Sequence, residues 1–192
     1  MITVETIRER HSVREYDGGP LDQAEFDALG AVVEECARES GLDIQLVGDN
    51  PEVFNVIARF GLIRGCRTHV AFVVDDAKAG GATSGANAAA NGATEADCVE
   101  MRGARRTAVD EAIGYWGQKI VLAAQDMGLN TCWCALCSRK KSRAVVAPGK
   151  KVRLVIAVGH GKTQGFSRKT KSVEALSSVE CAKTPAWFAA AM

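Results

Sequence analysis

Two short stretches of the chain carry the residue types that bind an anion. In IRERHSVREYDGGPL, Arg8, Arg10, His11 and Arg14 bracket Ser12 at the end of a short helical pattern. Guanidinium forks, an imidazole and a hydroxyl together supply donors for phosphate oxygens or for the edge of a planar heterocycle. Taken alone, such a cluster is a solvated basic helix end, favoured by the helix dipole. Near the C-terminus, GFSRKTKS brings Arg168, Lys169 and Lys171, a charge run that by itself reads as a solvated face. The two clusters gain chemical meaning only if the fold gathers them around one phosphate.

Sulfur offers a second chemistry. Cys132, Cys134 and Cys137 lie within six residues, and with Cys181 they could be drawn as a thiolate site for zinc or an iron-sulfur cluster. The spacing argues against it. Cys132 and Cys134 share one face of a strand with Trp133 opposite, whereas structural zinc sites pair C-x-x-C knuckles. Cys134 and Cys137 lack the strand-to-helix setting that lowers a redox thiol's pKa. Packed thiols are the simpler reading. His160, in GHGKTQG, follows a strand but matches no Walker motif, so this loop reads as a turn leading to the lysine cluster. His69, at the start of a buried strand, reads as a structural histidine.

The elements that must position these groups belong to a single domain. With 192 residues, 47% hydrophobic and 24% charged, the chain can bury roughly two thirds of its unfolded surface. Lys plus Arg number 24 against 23 Asp plus Glu, a net charge of +1. That balance gives no sustained field to hold a polyanion, so nucleic acid is not an expected partner. The first thirty residues are too charged for a secretory leader, and no run approaches the ~20 apolar residues of a membrane span. Seven cysteines, an odd number scattered along the chain, form a reduced-thiol pattern and no disulfide framework. The expectation is a cytoplasmic protein without a membrane partner.

Along the chain, Thr3 caps a first helix to about Arg10, with Val4, Ile7 and the stem of Arg8 turned to a core. Asp22 and Glu25 form a capping box for a second helix, in which Phe26, Leu29, Val33 and Cys36 share a face. A strand at 44–47, a helix at 52–60 after Pro51 and a buried strand at 69–75 follow. Residues 79–93 are almost all Ala, Gly, Asn, Ser and Thr, too poor in apolar bulk to offset ordering entropy, so a flexible insertion is expected at about 78–105. The strongest helical pattern spans 109–127, where Ile113, Trp116, Ile120, Val121, Ala124 and Met127 form one stripe. Then come a strand at 130–135, a basic turn SRKKSRAVV and a buried strand at 152–158. Intermixed helices and strands place the chain in the α+β or α/β class.

Three ordered motifs now stand out. Gly114-Tyr115-Trp116-Gly117 precedes Leu122-Ala123-Ala124 and then Gly128-Leu129-Asn130-Thr131-Cys132-Trp133, while Arg10-His11-Ser12-Val13-Arg14 precedes Pro20-Leu21. In these the chain resembles the FMN-dependent nitroreductase family, in the branch that reads Gly-Leu-x-Thr-Cys-Trp. The resemblance implies an α+β fold, a three-layer α/β/α sandwich around a mostly antiparallel sheet. It implies a homodimer with FMN at the subunit interface, passing a hydride from NADH or NADPH to a nitroaromatic, quinone-like or other electron-poor acceptor. By motif position Arg10, His11, Ser12 and Arg14 would hold the phosphate, ribityl chain and pyrimidine edge, with Arg14 at O2. Lys169 and Lys171 would complete the phosphate site. The strand through Cys132, Trp133, Cys134 and Ala135 to Leu136 would offer its backbone to the ring, with no side chain as proton donor. The branch's Ala-Pro-x-Ala-x-Asn-Gln-Gln stretch has no counterpart after Trp187-Phe188, so a shortened C-terminus is expected. A flavin-free or truncated relative serving as a non-catalytic partner subunit is the competing reading.

Overall fold

In a computed structural model of the chain, residues 2–54, 63–75, 95–134 and 137–164 are described, without the side chains of 95–106. Four strands, β1 (Asp43–Val47), β2 (Thr68–Asp75), β3 (Asn130–Cys134) and β4 (Lys150–Gly159), pair antiparallel in the order β1-β2-β4-β3. The sequence THVAFVVD explains why β2 lies centrally. Its β-branched and aromatic residues suit a strand covered on both sides, and its first seven residues are all buried.

Alternation along the strands separates two cores. Val70, Phe72 and Val74 face one side with Ile156 and Val158, while Ala71 and Val73 face the other with Val155 and Ala157. A register shift between Phe72 and Val73 pairs Val73 with Val152, which brings Val152 to the second side.

Three helices complete the described fold: α1 (Val4–Glu9), α2 (Gln23–Ser40) and α3 (Glu95–Asp126). The first sheet face is covered by α2 and α3, through Leu29, Val33 and Cys36 of α2 and Ile113, Ile120, Val121 and Ala124 of α3. The capping box expected at Asp22 and Glu25 is present, and Gly41, at φ +67°, ends α2 in the left-handed conformation open to glycine. Helix α3 begins well before the expected residue 109. Its leading stretch is rich in Glu, Arg and Ala, which favour helix without an apolar stripe for periodicity to detect.

The second sheet face carries irregular segments: residues 13–16, a single 3-10 turn at Pro51–Val53 and another at Arg139–Lys141. Of the helix expected at 52–60, the described part belongs to that first turn, and the rest lies within 55–62, outside the described residues. The basic turn after β3 is present as the second. Helix α1 corrects another expectation. Thr3 caps it as foreseen, but Val4 and Ile7 are 56% and 57% exposed, and only Thr6 is buried. A six-residue helix has too few turns to bury a stripe, and here it docks by its polar Thr6 against Asp126. The Ala/Gly-rich tract falls on 76–94, outside the described residues. No helix among the described residues is long and apolar enough to cross a membrane.

Candidate functional site

Residues 12–17 run as an extended segment laced to three parts of the fold. Val13 N–H donates to Thr131 carbonyl at 3.1 Å, Tyr16 N–H to Arg64 carbonyl at 2.8 Å and Asp17 N–H to His160 carbonyl at 3.0 Å, while Lys162 N–H donates to Glu15 carbonyl at 2.9 Å. Val13 and Tyr16 are buried, which anchors the segment and leaves Arg14 at the surface and Ser12 half-buried beside it. Ser12 bridges in parallel to Thr131, so the basic motif is held against the strand carrying the Thr-Cys-Trp motif.

Electrostatics report how close these groups come. The Cys132 thiol is brought down to about 7, first by its hydrogen bond with Cys134, then by the charges of Arg14 and Arg10 and a hydrogen bond with Ser12, against the opposing effect of burial. Cys134, the other member of the pair, is driven up by that same bond and by burial. Tyr16 is pushed far above its ordinary value by burial and by the neighbouring Cys66, Cys132 and Cys134, with Arg10 acting the other way. Burial lifts Cys66 to about 12. The cluster is thus a dry, thiol-lined floor with positive charge at its rim.

Buried polar atoms here without a hydrogen-bond partner among the described residues include His11 Nδ1 and Tyr16 Oη. Buried groups of this kind are costly unless something satisfies them. Among the expected site residues, Arg10, Ser12 and Arg14 come near Cys132, with His11 between them in the chain. Trp133 shares only its backbone with this cluster. Its side chain lies on the first sheet face, stacked on Phe72 with ring centroids 6.5 Å apart. Gly117 explains how it fits there, since a Cβ at that position would come 2.4 Å from the indole. Ala135, Lys169 and Lys171 lie outside the described residues.

Sequence reasoning passed over Tyr16, Cys66 and the Asn130–Gly161 contact. Tyr16 reads as a loop aromatic until the lacing of 12–17 turns it inward; it is buried with Val13, three residues before it, while Arg14 and Glu15 are exposed, so strand alternation would not have placed it there. Asn130 Oδ1 accepts the Gly161 N–H at 2.9 Å, and a Cβ on Gly161 would sit 2.6 Å from that oxygen. The first glycine after His160 is therefore required by close approach, a reason the phosphate-loop comparison could not reveal.

The remaining motif residues have structural partners. His69 is fully buried, its Nε2 2.9 Å from Ser142 Oγ and its ring edge-on to Phe54, and desolvation lowers its pKa to about 4. His160 Nε2 lies 3.0 Å from Glu25 Oε2. Cys36, Cys66, Cys132, Cys134 and Cys137 are free thiols. No group of three or more His, Cys, Asp or Glu side chains is placed to hold a metal ion among the described residues.

Solved structures with the same fold include the nitroreductase family protein of Streptococcus pneumoniae TIGR4, at 15% identity and a TM-score of 0.58, covering 92% of this chain and 99% of that one. Another, described as "a putative nitroreductase in complex with fmn" from Desulfovibrio desulfuricans, has 16% identity, a TM-score of 0.58 and coverage of 92% and 95%. The FMN-dependent nitroreductase of Clostridium difficile R20291 has 14% identity and a TM-score of 0.55, covering 87% of this chain and 92% of that chain. No curated protein matches the chain. The family model described as "Putative TM nitroreductase" matches residues 2–85 and 88–192, nearly the whole length and including both the basic segment and the Thr-Cys-Trp strand. The chain belongs to this nitroreductase family.

Proposed function

We propose that the protein is an FMN-dependent oxidoreductase that takes a hydride from NADH or NADPH and delivers it to a nitroaromatic, quinone-like or other electron-poor acceptor, working as a cytoplasmic homodimer. Family membership supports oxidoreductase chemistry. The observation that carries the reading is the convergence of Arg10, Ser12 and Arg14 on the Thr131–Cys132 segment.

The residues present fit the cofactor. After the larger effect of the Cys134 hydrogen bond, the positive potential of Arg14 and Arg10 helps to lower the pKa of the Cys132 thiol in a largely buried setting. The same potential would be neutralised by a phosphate, or by the negative charge that collects at N1 and O2 of a reduced flavin. His11 Nδ1, buried and unpartnered among the described residues, offers a further polar contact. When bound, FMN supplies the hydride-accepting and hydride-donating ring, which no amino-acid side chain can provide.

In this reading Arg14 holds the O2 edge, and Arg10, His11 and Ser12 hold the phosphate and ribityl chain, joined by Lys169 and Lys171. Backbone groups from Cys132 through Trp133, Cys134 and Ala135 line the ring, and the thiol floor keeps water from beneath it. Protons come from solvent. The test is the visible absorption spectrum of the purified protein after incubation with FMN and gel filtration. A stoichiometric flavin spectrum that NADH or NADPH bleaches under anaerobic conditions is the expected result. A colourless protein would transfer the lead to the non-catalytic partner reading.

A further inference from the structure

The basic turn after β3 forms a second site with no part in the flavin assignment. A cavity of about 670 Å³ opens between this turn and the start of β4, and its lining includes Arg139, Lys140, Lys150, Lys151, Arg153 and Ser138. Among the described residues, no acidic side chain lines it. Lys150 and Arg153 are matched from outside: Lys150 Nζ lies 3.2 Å from Asp43, and Arg153 grips Asp110 through Nε and Nη2 at 3.0 and 2.8 Å; Lys151 too has a partner. Arg139 is oriented by donating Nη1 to the Arg153 carbonyl at 2.7 Å, a bond that leaves its charge uncompensated. Neither Arg139 nor Lys140 makes an ion pair among the described residues, and both are exposed.

A smaller cavity of about 330 Å³ shares Arg139 and Arg153 with it and is lined by the apolar Ile113, Trp133 and Leu154 and by Asp110, whose carboxylate is held by Arg153. The cationic cavity and the apolar one thus meet at Arg139 and Arg153, where the Asp110 charge is already matched by Arg153. Cleft volumes of about 300–1,000 Å³ with a few placed polar groups are the normal form of a small-molecule site. A guanidinium fork beside an ammonium and a hydroxyl suits a phosphate better than a single carboxylate, because a phosphate offers three acceptor oxygens and up to two charges.

The geometry points to a binding site for an organic phosphate with a planar ring, the phosphate held between Arg139 and Lys140 and the ring against Ile113, Trp133 and Leu154. Of the residues in this site only Trp133 recurs in the flavin assignment, its side chain here and its backbone there, and occupancy of this site does not depend on FMN. Its ligand comes from one of two sources, a nucleotide or a phosphorylated aromatic compound.

The test is calorimetric titration of the protein, as isolated and after incubation with FMN, using ADP, 4-nitrophenyl phosphate and, as the uncharged control, adenosine. Binding of ADP or of the aryl phosphate is expected, with adenosine far weaker; the tighter of the two phosphates identifies the source. Losing both charges in Arg139→Ala/Lys140→Ala should weaken binding at least about tenfold, as should reversal in the single exposed variant Lys140→Glu. FMN retention should be unchanged in both variants. ADP affinity should survive Arg14→Ala, because that residue lies in the other cluster. Equal binding of adenosine, indifference to both charge variants, or loss of ADP binding in Arg14→Ala would each overturn the assignment. Loss of FMN retention in wild-type protein would refute the flavin reading and leave this one standing.

Discussion

Neighbouring residues of the same strands build two unlike cores. On the face under α2 and α3, Phe72, Ile156, Leu29, Ile120 and Val121 pack as hydrocarbon, and Trp133 is accommodated by Gly117. On the opposite face Tyr16, Cys66, Cys132 and Cys134 lie among small valines and alanines, with His69 buried beside Phe54. Apolar bulk holds the first face together without directional demands. The second carries polar atoms that need partners, and it is covered by irregular chain. Stability and cofactor binding are thus assigned to opposite sides of one sheet, with the proposed cofactor-binding cluster on the side that, among the described residues, irregular chain covers.

That contrast can be broken most forcefully on the hydrocarbon side. Phe72→Ala should cost about 3–5 kcal/mol of unfolding free energy, read by urea denaturation. Flavin retention per folded molecule should hold, since Phe72 faces away from the arginines. A stability loss below the range expected for a surface change would mean that this face is not the main core.

On the polar side, the pH dependence of stability should expose His69. Its pKa is about 4 in the folded protein against an ordinary 6.5, so between these values the unfolded chain binds the extra proton. Stability from this group is fully present above about 6.5 and is lost as pH falls toward about 4, on the order of 3 kcal/mol in all. Replacement by Gln should flatten the urea-midpoint profile across that window. An unchanged slope would show that other groups govern acid unfolding.

A smaller and more local effect is expected at the rim. Arg14→Ala should weaken FMN binding by about 1–3 kcal/mol, measured by fluorescence titration, while the unfolding midpoint moves little because Arg14 is exposed. Equal affinity in that variant would contradict its assigned role. The mildest change concerns the thiols. Ultraviolet absorbance of the thiolate should show a transition near pH 7 that disappears in Cys132→Ser and moves upward in Arg14→Ala. In Cys134→Ser, flavin retention should persist, because only backbone is used there. A transition surviving in Cys132→Ser would assign the low-pKa thiol elsewhere.

Much of the frame was legible beforehand because it depends on local chemistry. Caps at Thr3 and Asp22, the β-branched run of β2 and the apolar stripe within α3 each act over a few residues. The early start of α3 escaped because a polar helix leaves no periodic trace. The outward face of α1 escaped because short helices can present apolar residues to solvent when no neighbour covers them. At the site, the basic motif and the Thr-Cys-Trp strand were visible as residue types, but their adjacency was not: Ser12 and Thr131 are 119 positions apart and meet through a single parallel bridge.

The amino-acid order by itself determined which segments are helix or strand, the α+β class, the reduced thiols and the residues able to hold an anion. Those properties follow from side-chain shape, capping and periodicity, which act along the chain. Only the tertiary structure decided which face of the sheet Trp133 takes and which the thiols of Cys132 and Cys134 take, that Tyr16 turns inward, and that Arg10 and Arg14 bear on the protonation of a thiol far along the sequence. Register assigns each strand residue to a face, and desolvation then gives every charge near that face a strength that no linear pattern carries.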